Sequence, residues 1–150
     1  MSPRPGLAAA VLVGLVGLLA TAGCATEQER YCEAVSERQA ELSEVVAEGG
    51  PTALLDALEI YRELEEEAPR DIRDEWQQVV GSLESLEQAL DDAGVDPASY
   101  DPEAPPDDLT DEERAAIESA ADRVGSLETR EALAGLEQQA RDVCKTPLTL

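Results

Sequence analysis

Ile72, Trp76, Val79, Leu83, Leu86 and Leu90 follow one another at intervals of 4, 3, 4, 3 and 4 residues. An α-helix turns once in about 3.6 residues, so this alternation places all of them on one stripe. A stripe so regular is the seam of helices packed at shallow angles in a bundle. Trp76, lying on that seam, reads as core rather than as a platform for a ligand. Nowhere does the chain carry a β-branched, alternating run. The expected fold is all-α, a four- to five-helix antiparallel bundle.

The same period recurs on either side of the seam. A first helix is expected from about Glu27 to Glu48, with Tyr31, Val35, Leu42 and Val45/Val46 inward and Gly49-Gly50 as its stop. Pro51 suits a first helical turn and opens a second helix, whose apolar side is Leu54/Leu55, Leu58, Tyr61, Leu64 and Ala68. Pro69 interrupts, and the seam helix then runs to about Ala93 before Gly94. Residues 95–109 hold Pro97, Pro102, Pro105 and Pro106 and cannot be helical. Thr110 followed by Glu113 is a capping box that starts a fourth helix, with Ile117, Ala120/Ala121 and Val124 inward. Gly125-Ser126 breaks it. A fifth helix carries Leu133, Leu136, Ala140 and Val143 and ends near Cys144, and Pro147 stops any continuation.

The amino end reads as an address rather than as part of the fold. Arg4 and the free amine form a short cationic region, followed by the apolar run Leu7–Ala20, which is short of the roughly 18 residues of a membrane span. Thr21, Ala22, Gly23 and Cys24 come next. Small residues before a cysteine resemble the lipobox of bacterial lipoproteins, although Thr21 stands where Leu is usual. On this reading Cys24 is the lipidation site, and multiple acyl chains on one residue give durable anchoring. The rival reading is ordinary secretory cleavage that leaves Cys24 a free thiol. The expected organisation is a lipoprotein signal peptide at 1–23, a lipid-anchored tether at 24–29, a helical bundle domain at 30–144 and a C-terminal tail at 145–150. The 150 residues, less that leader, suffice for one domain with a single core.

Cys32 and Cys144 remain. In an exported chain such a pair is most simply one disulfide; a redox or metal site is the alternative, though the chain has no CxxC and no His. Closing so long a loop would stabilise the fold by about 4–5 kcal/mol in the chain-entropy model. The pairing also constrains topology. Five strictly alternating helices would put the two cysteines at opposite ends of a bundle whose first helix is roughly 30 Å long. A disulfide needs Cα atoms within about 7 Å. One connection must therefore fail to reverse the chain at the same end. The Pro-rich stretch Gly94–Leu109 could extend over roughly 50 Å, so the expectation is a long crossover loop running back along the bundle. An acidic recognition segment is the other reading of that loop.

Charge and composition exclude several functions. Acidic residues number 34 against 11 basic, a net charge of -23. This opposes nucleic-acid binding, which needs a cationic surface, and repels an anionic bilayer. With no His, the commonest general base and metal ligand are absent. The single Lys is Lys145 in the tail, and neither GxSxG nor GxxxxGK[ST] occurs. Glu84 and Glu87 flank the seam and read as its wet border. Asp91, Asp92, Asp96, Asp101, Glu103, Asp107, Asp108 and Asp111 crowd in and beside the Pro-rich loop without the spacing of a calcium loop. No catalytic residue, cofactor or metal site is expected, and the chain does not read as an enzyme.

The stretches EAPRDIRDEWQ (Glu67–Gln77), DDAGVDPASYDP (Asp91–Pro102) and EQQARDVCKTPLTL (Glu137–Leu150), joined to the lipobox, resemble a group of small, uncharacterised actinobacterial lipoproteins. The resemblance spans the mature chain, includes both Cys32 and Cys144, and implies membrane attachment on the extracytoplasmic face with no known activity. The leading expectation is a non-enzymatic binding or interaction module. It would be held at the membrane by its lipid anchor and meet an envelope protein partner. The alternative is a small-ligand or cation-binding lipoprotein using a groove between the helices and the Pro-rich loop.

Overall fold

A computed structural model describes residues 25–50 and 52–148. Six α-helices follow one another: α1 (Glu27–Glu48), α2 (Ala53–Asp56), α3 (Leu58–Glu67), α4 (Arg73–Asp92), α5 (Asp111–Val124) and α6 (Leu127–Gln139). A π-helical turn, Ala140–Cys144, prolongs α6, and a single 3-10 turn, Pro97–Ser99, lies in the Pro-rich loop. No strand occurs among the described residues, and the fold is all-α.

Local chemistry sets the helix ends. Thr26 caps α1: its hydroxyl accepts from the Glu29 amide, and its own amide donates to the Glu29 carboxylate at 2.8 Å. Thr110 and Glu113 repeat the device at α5. Residues Glu27–Glu29 of the expected tether therefore belong to α1, with only Ala25 between Cys24 and the cap. At the far end of α4, Gly94 takes φ +66°, and the Val95 amide returns to the Leu90 carbonyl at 2.9 Å. A Cβ is strained in that left-handed conformation, and glycine relieves it.

The second expected helix is two. It bends at Ala57, whose φ and ψ of -82° and -8° loosen the turn, yet Ala57 still donates to Ala53 and Tyr61 to Ala57. Pro51, expected to open this helix, lies outside the described residues.

Pairings fix the directions of the rods. Arg30 reaches Glu67 and Arg38 reaches Glu63, so α3 runs antiparallel to α1. Arg62 of α3 binds Glu84 and Glu87 of α4 across the next hairpin. Along α4, Leu90 packs with Ile117, Ser82 and Gln78 meet Thr129, and Glu75 lies against Gly135. Numbers rise along α5 and α6 as they fall along α4. Both helices therefore descend the same neighbour, end to end.

This corrects the expected route. The connection that fails to reverse is Gly125-Ser126, and the Pro-rich loop does not run back along the bundle. Ser126 starts α6 directly, its hydroxyl accepting from the Thr129 amide as the N-cap. The loop stays where α4 ends, held by Val95, Tyr100 and Leu109, which pack with Leu86, Leu90 and Ile117. The bundle is four antiparallel rods, α1, α2–α3, α4 and α5–α6. An even number brings the chain home.

Trp76 is the centre of the main core, fully buried with Tyr31, Leu64 and Leu136. The expected tail is in part core: Leu148 is buried in the same cluster. Val143, expected inward, is 48% exposed. The wider π-helical turn changes the angular step, so that Cys144 faces α1 instead.

Candidate binding surfaces

The two ends of the bundle differ in kind. At the end where α1 starts, Cys32 and Cys144 form a disulfide with Cα atoms 4.9 Å apart. Gln28 donates to Cys32 Sγ at 3.2 Å, and Gln139 donates to the Gln28 carbonyl oxygen. Lys145 reverses the chain after the bridge in the left-handed region, at φ 59°. Cys24, the expected lipidation site, lies outside the described residues.

Beside this corner, the Trp76 indole N–H donates to the Tyr31 hydroxyl at 3.2 Å in a fully buried bond. The Tyr31 ring meets Trp76 edge-on and the Tyr61 ring lies tilted against it, with centroids at 6.5 and 5.9 Å. The Tyr61 hydroxyl is buried with no hydrogen-bond partner among the described residues. Burial raises the Tyr31 pKa to about 12, the bond from Trp76 opposing it in part. Burial raises Tyr61 to about 12 as well, with the charge of Glu137 adding to it. Two neutral phenols packed on an indole are core.

Between α4 and α6 lies an open cleft of about 440 Å³, walled by Asp74, Glu75, Glu128 and Glu131 with Gln78 at one end. Gln78 is held by Thr129, which also donates to the Arg123 carbonyl at 2.7 Å, so the cleft is built on the α5–α6 joint. Its carboxylates form no ion pair among the described residues. Glu84 and Glu87, expected as the wet border of the seam, are both taken up by Arg62. No group of three or more Cys, Asp or Glu side chains among the described residues is placed to hold a metal ion.

The opposite end carries an apolar notch of about 190 Å³. Leu86 and Leu90 of α4 and Ile117 of α5 form its floor; Pro97, Tyr100 and Pro102 of the loop form its wall. An adjoining hollow of about 260 Å³ shares Thr52, Leu55 and Pro97 with it and presents Asp56, Asp91 and Asp96. The acidic loop is itself ordered by its carboxylates. Asp96 accepts from the Ala98 amide and Asp101 from the Glu103 amide, each at 2.9 Å. Periodicity does not reveal the notch, since Tyr100 and Leu109 sit in irregular chain. The signal is that three bulky side chains, Val95, Tyr100 and Leu109, stand in a loop otherwise made of Asp, Glu, Ser, Gly, Ala and Pro.

No family model, curated protein or solved structure matches this chain.

Proposed function

We propose that the chain is a lipoprotein anchored through Cys24 on the extracytoplasmic face of the membrane, its helical bundle serving as a non-enzymatic binding module for an envelope protein. The observation that carries this reading is how soon the closed base follows Cys24 in the sequence: α1 is capped at Thr26, and the Cys32–Cys144 bridge follows within two turns. A disulfide suits an exported chain. So short a tether would hold the base of the bundle against the bilayer and turn the notched end outward, about one helix length or 30 Å away. The charge of -23 would keep the flanks off anionic lipid. Membership of the small actinobacterial lipoproteins that the sequence resembles belongs to the same proposal.

The test has two arms. Intact-mass analysis of membrane-extracted protein should show diacylglycerol on Cys24, and Cys24→Ala should release the protein from the membrane. Cross-linking in intact cells followed by purification should enrich a specific envelope protein. Wild-type protein found unlipidated in the medium overturns the anchor, and no enrichment overturns the module.

Small-ligand or cation binding is the second reading, supported by the α4–α6 cleft, whose volume falls in the range of about 300–1,000 Å³ usual for ligand pockets. A ligand-induced rise in melting temperature without any cross-linked partner would favour it.

A further inference from the structure

We propose that the notch at the loop end of the bundle docks a basic peptide segment of a partner protein, one bulky apolar side chain entering it while flanking Lys or Arg side chains meet the carboxylates of the adjoining hollow. This deepens the binding-module reading and rests on it.

Size selects the occupant. At about 190 Å³ the notch is smaller than the pockets that enclose whole small ligands, which start near 300 Å³. An apolar cavity of about 150 Å³ accepts a benzene-sized ring. One Phe or Leu side chain fits, and the rest of its carrier must lie outside. The wall is preformed, because Leu109 and Tyr100 pack into the same small cluster as Leu90 and Ile117.

Charge selects the carrier. Asp56, Asp91 and Asp96 line the adjoining hollow, and no cation pairs with them among the described residues; Glu87, beside them, is taken by Arg62. A second copy of this chain would bring the same -23 charge and be repelled. A cationic segment would be steered in and held in register by the carboxylates of the hollow, while the buried side chain supplies the anchor.

The experiment uses full-length protein extracted in detergent with its own anchor. Labelled Lys-Lys-Phe-Lys-Lys peptide, and the same peptide with Ala in place of Phe, are titrated by fluorescence anisotropy at low salt. The Phe peptide should bind at least tenfold more tightly. Ala121→Trp fills the notch from its exposed rim and should abolish that preference without changing the Ala peptide's affinity or the melting temperature. The pair Asp91→Asn and Asp96→Asn should weaken both peptides at least threefold. Should Ala121→Trp fail to fold, Thr52→Arg, a cation at the mouth, must weaken the Phe peptide tenfold. Equal binding of the two peptides, or a preference that survives the filled notch, overturns the proposal. So does a thermal shift by p-cresol in the wild type alone with no preference for the Phe peptide, which makes the occupant a small molecule. An envelope protein cross-linked equally to wild type and Ala121→Trp overturns this docking site and leaves the binding-module reading standing. No cross-linked partner for either protein overturns both.

Discussion

Trp76 meets two tyrosines in opposite chemical situations, and the contrast is testable. Tyr31 accepts the buried indole N–H, so Tyr31→Phe strands a donor and should cost about 1–3 kcal/mol in urea unfolding. Tyr61 carries a buried hydroxyl with no partner among the described residues, so Tyr61→Phe should leave stability unchanged or raise it. Alkaline pH probes the same pair. Both phenols have folded pKa values raised from 10.0 to about 12, so their contribution is fully present below pH 10. It is lost as pH rises from 10 through 12, because the unfolded chain sheds those protons first. Each tyrosine should cost roughly 3 kcal/mol at the top of that range. Melting temperature followed from pH 9 to 12 should fall, and the fall should be smaller in Tyr61→Phe. Trp76, Tyr31 and Tyr61 were all legible as core, because each lies on a helical stripe. Leu148 and Tyr100 were not: a lone apolar residue in irregular chain has no period to declare its side.

Helix boundaries depend on short-range chemistry, and that part of the fold could be read in advance. The bounds of α1, the Gly94 stop and the Thr110–Glu113 box all rest on residues within one turn of each other. The break at Ala57 escaped because apolar residues continue through it at helical spacing. The joint at Gly125-Ser126 was legible as a break but not as a straight continuation. Its direction depends on Thr129, whose hydroxyl donates to Arg123, accepts from Gln78 and Ser126, and lies 3.2 Å from Ser82. Thr129→Val keeps the shape and removes the bonds. Leaving buried polar groups unmatched, it should cost about 1–3 kcal/mol, and chemical denaturation of the variant measures this. A ΔΔG near zero would mean that packing alone aligns the two helices.

At the scale of the molecule, the Cys32–Cys144 pairing implies that first and last helices share an end, but it does not determine the route between them. Chain length limits how far a loop can reach; whether it travels is decided by contacts such as Leu109 with Leu90 and Ile117, between residues distant in sequence. The notch fell out of reach for the same reason, being assembled from α4, α5 and the loop. Replacing both cysteines with serine should lower unfolding free energy by about 2–5 kcal/mol, with reduction of the wild type giving a matching loss in calorimetry. The bridge spans 112 residues of sequence and encloses every helix turn from Glu33 to Val143. A protease that cuts the exposed loop around Glu103 therefore opens a ring rather than severing a thread. The two fragments should migrate as one species until a reductant is added, and a nicked molecule keeps both halves, and the notch between them, on a single tether.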